Sequence, residues 1–148
     1  MAAISEEEVR SAVRRYWEVY TSRKPGGLAE LYTFDALIFS AFSARPELAR
    51  VGCARRDREY SANAETKVQY KLTSPIEVRI LADNVALAIY TFHWVATNIR
   101  EPILGKTVSR TIADGRQTHV FVSNADGQLV MVHQHASDVC RAPAEATP

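Results

Sequence analysis

The sequence predicts an α+β domain in which a curved antiparallel sheet wraps around one long amino-terminal helix and leaves a cone-shaped hollow. Three observations support this prediction. Helical periodicity ends near Tyr60, four extended segments with turn signals between them follow from residue 66 onward, and neither an internal repeat nor a linker divides the chain. Helices followed by a run of strands are the layout of an α+β protein.

Length and composition place the chain among one-domain globular proteins. It has 148 residues, of which 47% are hydrophobic and 24% are charged, so it is long enough to bury a core. Its 18 basic residues nearly balance its 17 acidic ones. Because such a balance gives no field that would attract a polyanion, we expect no nucleic-acid partner. We predict a single domain over residues 1–140 and a frayed tail over residues 141–148.

No segment has the pattern of a membrane or export signal. The first eight residues are acidic and polar, and the longest apolar stretch, residues 85–96, is too short to cross a bilayer. Cys53 and Cys140 lie far apart in the sequence and are expected to stay reduced. These features predict a cytoplasmic protein with no membrane partner.

The helical half begins at a capping box formed by Ser5 and Glu8. One apolar face then recurs at helical spacing through Val9, Val13, Tyr16, Trp17 and Tyr20. Pro25-Gly26-Gly27 ends the helix. A short helix over residues 28–32, a short strand over 36–42 and a third helix from Pro46 to about Tyr60 follow. Four arginines of the third helix alternate with acidic residues, which is typical of a solvated face: Arg50, Arg55, Arg56 and Arg58.

The second half is predicted to form the sheet. Residues 68–80 are an extended run with a bend at Ser74-Pro75, and residues 85–98, 107–123 and 128–139 are the next three strand segments. A bend or bulge is expected near Asp114-Gly115. The connection over residues 99–106 is either a plain hairpin end or a flap over the open end of the cone.

Two stretches of the chain carry a resemblance to a known family. The first is Val-Arg-Arg-Tyr-Trp-Glu at 13–18, leading into residues 28–36; the second is Gly-Arg-Gln-Thr-His-Val-Phe at 115–121, followed by Asp126-Gly127 and Val-His-Gln-His-Ala-Ser at 132–137. They resemble the opening elements and the closing hairpin of the nuclear transport factor 2-like superfamily, in its SnoaL-like branch. The ending is also similar to the calcium/calmodulin-dependent protein kinase II association domain. The resemblance implies the cone-shaped fold, which hosts enzymes, binding proteins and oligomerisation domains alike.

Tyr16 is the first candidate for catalysis. It resembles the first-helix tyrosine with which steroid isomerases of this superfamily donate a hydrogen bond to an oxyanion, a role that suits a neutral phenol. Where those enzymes place a carboxylate base, this chain has Phe39-Ser40-Ala41. Steroid isomerase chemistry is therefore not expected.

His93 and His119 are the second candidate. If the two long strands pair about a centre near Lys106, these histidines lie opposite each other, and the resemblance places His119 at a position that faces the pocket. Two imidazoles in a half-apolar cavity can divide acid and base work, because histidine titrates near neutral pH. The alternative is that each is a hydrogen-bonded strand residue without a catalytic role.

His133 and His135 form a third pattern. Two strand residues two apart face the same way, which suits metal ligation, although Asp138 is the only further ligand type close by. The resemblance assigns this ending to strand packing and the dimer face. We therefore expect neither a metal nor a cofactor.

The leading functional hypothesis is a cofactor-independent isomerase, cyclase or dehydratase that acts on an apolar, ring-containing small molecule in the cone. His93, His119 and Tyr16 would be catalytic. The expected substrate-binding residues are Trp17, Tyr32, Asp35, Thr91 and Phe121. Two alternatives stay open: a non-catalytic small-ligand-binding module and an oligomerisation domain. A homodimer is expected in which Tyr90, Phe92 and Trp94 lie on the outer face of the sheet.

Overall fold

The computed structural model describes residues 2–101 and 103–139. The predicted frayed tail and Cys140 lie outside the described residues. The elements are α1 (Glu6–Ser22), a 3₁₀ turn (Ala29–Leu31), β1 (Tyr32–Phe39), β2 (Glu47–Leu48), α2 (Ala49–Ser61), β3 (Lys67–Leu72), β4 (Glu77–Ala82), β5 (Val85–Arg100), β6 (Thr107–Ser123) and β7 (Leu129–Asp138). The α+β class is as predicted, and so is the order of elements apart from two differences. The short strand β2 takes the first residues of the predicted third helix, and the predicted extended run over residues 68–80 is divided into β3 and β4.

The long helix α1 forms where the sequence places its start signal. The Glu8 amide donates to Ser5 Oγ at 3.3 Å, and the Ser5 amide donates to Glu8 Oε2 at 2.7 Å, so the predicted capping box is present. The helix ends at Arg23, whose backbone is left-handed with φ of 56°. Its buried face packs against the sheet. None of the helices in the described ranges is long and apolar enough to span a membrane.

The seven strands form one sheet in the order β2-β1-β7-β6-β5-β3, and β4 pairs with β5 beyond the end of β3. The prediction of an antiparallel sheet is correct for every pair except one, because β1 runs parallel to β7. A parallel pair needs a long crossover connection, and α2 together with β3 to β6 supplies it. The sheet curves around α1, so its inward face and the two helices enclose the space that the sequence predicted as a hollow.

The inward face of β5 is the opposite of the predicted one. Tyr90, Phe92 and Trp94 are each 2% exposed or less and point inward, whereas His93 is exposed on the outer face. Both faces of this strand are apolar, so alternation alone does not determine which is buried, and one residue of register inverts the answer. The homodimer was predicted because these three rings were expected on the outer face of the sheet, and that expectation is wrong.

The pairing of β5 with β6 also differs from the prediction. His119 lies opposite Ala88, and His93 lies in a bulge where its Nδ1 is 3.1 Å from the carbonyl oxygen of Ala113. The hairpin turns soon after β5, where the Glu101 amide donates to the Lys106 carbonyl at 2.9 Å, and a flap over residues 99–106 stays a prediction. The two register shifts along β5 and β6 cancel, so the earlier turn by itself moves the two histidines apart.

Candidate functional site

A cavity of about 530 Å³ lies between α1, the segment that follows β1, α2 and the inward face of the sheet. Aromatic rings from both helices and from β5 form much of its wall: Tyr16, Trp17, Tyr20, Tyr60, Phe92 and Trp94. The rings contact one another, since Tyr16 meets Trp17 edge-on with centroids 5.2 Å apart and Tyr20 lies 6.5 Å from Trp94. An apolar wall of this kind suits a ring-containing guest.

Two ion pairs form part of the same wall. Arg55 Nη2 lies 2.6 Å from Glu47 Oε1, and Arg110 Nη1 lies 3.1 Å from Glu59 Oε2. The Arg55 guanidinium, which donates two hydrogen bonds, lowers the pKa of the Glu47 carboxyl. These four residues make a charged but internally compensated part of the lining.

Tyr16 belongs to a buried hydrogen-bond network at the cavity floor. Gln134 Nε2 donates to the Tyr16 hydroxyl oxygen at 3.1 Å, and the Tyr32 hydroxyl donates to Gln134 Oε1. Burial, followed by the nearby Tyr20, raises the pKa of Tyr16 well above its ordinary value, so the phenol stays protonated. Its hydroxyl accepts from Gln134 and has no acceptor of its own among the described residues, so its proton is available to a guest.

His119 lies in the core behind this floor and does not line the cavity. Trp17 Nε1 donates to the Tyr90 hydroxyl at 2.8 Å, and the Tyr90 hydroxyl lies 2.8 Å from His119 Nε2. His119 Nδ1 faces Met131 Sδ at 2.9 Å, so both ring nitrogens are engaged. Burial lowers the pKa of His119 to about 3, which keeps the imidazole neutral. The expectation that His119 faces the pocket is wrong.

Three predicted site residues line the cavity: Tyr16, Trp17 and Tyr32. Phe121 is buried in the core, where its ring stacks on His119 at 5.5 Å. His93, Asp35 and Thr91 lie on the outer side, and the Thr91 hydroxyl is 2.8 Å from that of Thr73. His93 and Thr91 do not reach the cavity because they lie on the face of β5 that points away from it. Asp35 does not reach it because Ala36 and Ile38 are the residues of β1 that point inward, which leaves Asp35 exposed.

His133 and His135 lie on the outer side of β7, whereas the intervening Gln134 faces the cavity. His133 Nδ1 is 2.9 Å from the Leu37 carbonyl oxygen, and the His135 ring lies 5.3 Å from that of Phe39. Over residues 2–101 and 103–139, no group of three or more histidine, cysteine, aspartate or glutamate side chains is arranged to hold a metal ion.

Arg56 lines the cavity although the sequence predicted it on a solvated helix face. The side chain is 9% exposed and lies over the ring of Tyr20, with Cζ 4.5 Å from the centroid. The buried residues of α2 show the signal that could have identified it: Ala49, Gly52, Cys53, Arg56 and Tyr60 recur at helical spacing. Arg56 is thus the one charged member of the inward stripe of this helix.

This chain is similar to known proteins in its three-dimensional structure and not in its sequence. No family model and no curated protein matches the sequence. A candidate association domain of calcium/calmodulin-dependent protein kinase II from Xanthomonas campestris superposes with a TM-score of 0.70 at 17% identity, over 94% of this chain and 91% of that one.

Two further structures are similar over most of their length. One is a candidate dehydratase of the nuclear transport factor 2-like family from Streptomyces avermitilis, with a TM-score of 0.69, 18% identity and coverage of 91% of this chain and 97% of that one. The other is a Catenulispora acidiphila protein in complex with S-DNPA, with a TM-score of 0.63, 16% identity and coverage of 88% and 90%. These likenesses confirm the predicted resemblance in architecture: the chain has the nuclear transport factor 2-like fold.

Proposed function

We propose that this protein binds a small, apolar, ring-containing molecule in its cone cavity. The observation that carries the proposal is the cavity of about 530 Å³ with its wall of aromatic rings. Ligand sites of proteins are typically concave, about 300–1,000 Å³ in volume and largely apolar, with a few polar groups that orient the guest. Neighbours described as a candidate dehydratase and as a complex with S-DNPA support a small-molecule use of this fold.

Binding can be tested with naphthalenemethanol, a neutral two-ring probe. The chain has two tryptophans, Trp17 and Trp94, and both line the cavity. Their indole N–H signals in a nitrogen–proton NMR titration therefore report directly on the site. We expect a saturable shift of both signals. The absence of saturable binding up to millimolar probe would refute the proposal.

A matched pair of variants localises the binding. Ala41 lines the cavity and is half-buried, whereas Ala44 is exposed and lies outside the lining. Ala41→Phe should weaken probe binding at least tenfold because the added ring occupies the guest's space, and Ala44→Phe should leave the affinity within twofold. Equal effects of the two substitutions would place the probe elsewhere.

The second candidate function is acid–base catalysis on the bound molecule, and the hydroxyl of Tyr16 favours it. His93 and His119 are not available, because neither lines the cavity. Glu59 has more free acceptor positions than Glu47 for taking up a proton, since one hydrogen bond from Arg110 engages it, whereas Glu47 receives two from Arg55. A proton would pass from a carbon next to a carbonyl to Glu59, while Tyr16 donates a hydrogen bond to the oxygen that gains negative charge.

Exchange of the acidic C–H of tetralone for deuterium tests this second function. Exchange should be faster with the protein than in buffer alone, and Tyr16→Phe should slow it by about tenfold to a thousandfold. Glu59→Gln should reduce it to the buffer rate, whereas Glu18→Gln, an exposed substitution on α1, should not change it. Exchange at the buffer rate with the unmodified protein would exclude this chemistry for the probe.

The predicted homodimer and the hypothesis of an oligomerisation domain remain predictions. The similarity to an association domain concerns the fold. The outer face of the sheet carries apolar side chains such as Leu37 and Ile89, which are 49% and 45% exposed. Native mass spectrometry would give the subunit count and any retained small molecule together.

A further inference from the structure

Buried hydrogen-bond donors without a protein partner line the cavity. Four such nitrogen atoms are found in the described part of the chain: Arg56 Nε, Arg56 Nη1, Trp94 Nε1 and Gln117 Nε2. The three residues come from α2, β5 and β6, and all of them line the same cavity. Trp94 and Gln117 are 2% exposed and Arg56 is 9% exposed. A buried donor that lacks an acceptor is unfavourable, so convergence of three such residues on one cavity indicates an acceptor supplied by a guest.

The charges of the lining show what kind of acceptor is missing. Among the described lining residues are three arginines and two glutamates, and Arg55 and Arg110 are each paired with one of those glutamates. The lining therefore carries one positive charge more than negative charges, and Arg56 is the arginine whose carboxylate partner lies outside the lining. Its only carboxylate contact is from Nη2 to Asp57 Oδ1 at 3.1 Å, and Asp57, which is not part of the lining, also accepts from the Gly26 amide at 3.0 Å.

The rings around Arg56 hold its charge inside the cavity wall. Its Cζ lies 4.5 Å from the centroid of Tyr20 and 5.6 Å from that of Tyr60. Ring faces stabilise a guanidinium only in part, and a buried charge is stable when it is both paired and hydrogen-bonded. Asp57 engages only Nη2 of Arg56, so the site combines a lining of net positive charge with four buried nitrogen donors that lack an acceptor among the described residues.

We propose that the natural ligand carries a carboxylate, which binds against Arg56 and accepts hydrogen bonds from Trp94 and Gln117. This inference rests on the proposed function of the cavity and specifies its ligand as an apolar, ring-containing carboxylic acid. A carboxylate offers two oxygens with about four acceptor positions, whereas a neutral carbonyl offers one oxygen. Its single charge matches the net positive charge of the lining residues, and a phosphate, which carries close to two charges, would exceed it.

Comparison of naphthoate with naphthalenemethanol tests the proposal, because the two probes share the ring system and differ in charge. By calorimetry, the unmodified protein should bind naphthoate about tenfold to a hundredfold more tightly, as expected for charge-assisted hydrogen bonds in a buried site. Arg56→Met should abolish this preference and leave the affinity for naphthalenemethanol within about threefold.

The matched control is Arg58→Met, which removes the same charge from an exposed position on the same helix outside the lining. It should leave both affinities within twofold. If Arg58→Met reduces naphthoate binding as much as Arg56→Met does, the preference comes from the overall charge and the inference is wrong.

A second measurement keeps the test decisive if Arg56→Met does not fold. In the unmodified protein, naphthoate should move the indole N–H signal of Trp94 downfield further than naphthalenemethanol does, and Trp94→Phe should weaken naphthoate binding several-fold more than alcohol binding. If naphthalenemethanol binds and naphthoate binds no more tightly, the carboxylate inference fails while the proposed function stands. If neither probe binds, the proposed function fails and the inference fails with it.

Discussion

The hydroxyl of Tyr90 connects two buried partners, and Tyr90→Phe removes that one oxygen while leaving the ring in place. Trp17 Nε1 donates to this oxygen at 2.8 Å, so the Tyr90 proton is directed to His119 Nε2, also at 2.8 Å. All three side chains are 3% exposed or less, which means that water cannot replace the lost oxygen. The substitution therefore tests whether His119 belongs to the framework of the fold.

The size of the effect follows from counting the groups that lose a partner. A buried donor or acceptor left unsatisfied costs about 1–3 kcal/mol, and Tyr90→Phe leaves two of them, the indole N–H of Trp17 and Nε2 of His119. We expect a loss of about 2–6 kcal/mol in the free energy of unfolding, which is a large share of the roughly 5–15 kcal/mol of an ordinary domain. At this chain length that loss lowers the unfolding midpoint by about 5–25 °C.

Urea and thermal unfolding followed by circular dichroism measure this loss. Tyr20→Phe is the matched control, because Tyr20 is half-buried and its hydroxyl makes a longer contact of 3.3 Å with the Tyr60 hydroxyl. It should cost about 1 kcal/mol or less. If Tyr90→Phe costs no more than Tyr20→Phe, the hydrogen-bond chain through His119 does not stabilise the fold and the assignment of His119 to the framework is wrong.

Two further predictions concern the same core. Burial lowers the pKa of His119 to about 3, whereas a histidine in the unfolded chain has a pKa of about 6.5. Between these two values the unfolded chain binds one more proton than the folded chain. The free energy of unfolding therefore falls as the pH drops, by up to about 1.4 kcal/mol per pH unit. In urea unfolding at pH 4 to 7, His119→Phe should therefore show a shallower dependence than the exposed substitution His93→Gln, and equal slopes would contradict a buried neutral imidazole. Gly115→Ala would place a Cβ 2.6 Å from Cε1 and Cζ of the buried Phe92 ring, so we expect a loss of about 1–3 kcal/mol, and an unchanged thermal midpoint would contradict this close packing.

Local signals in the sequence were sufficient for most of the elements and their order, although not for the short strand β2. The capping box at Ser5 and Glu8 starts α1 as predicted, and β6 spans Thr107–Ser123, the range predicted from its pattern. These features depend on neighbouring residues: a cap satisfies amides within one turn, and a strand pattern is read over a few positions. Tyr16 and Trp17 could be placed on the inward side of α1 for the same reason, since the apolar face of a helix is a local property, and the resemblance to the family indicated the role of Tyr16.

The contents of the site depended on contacts between distant segments. The side of β5 that faces inward is decided by packing against α1, where Trp17 lies 5.2 Å from Phe92, and a strand that is apolar on both faces carries no local record of that choice. The pairing of β5 with β6 depends on where the hairpin turns, and this earlier turn moved His119 opposite Ala88 and away from His93, while the two register shifts further along cancel each other.

The sequence by itself therefore determined the class of fold, most of the order of its elements and the aromatic inward face of α1, because these follow from periodicity and capping. Only the tertiary structure decided which polar groups reach the cavity. Arg56 and Gln117 are there because α2 and β6 are folded onto the same space. His119 is buried behind the floor because its two nitrogens are engaged by Tyr90 and Met131, which lie 29 and 12 residues away in the chain.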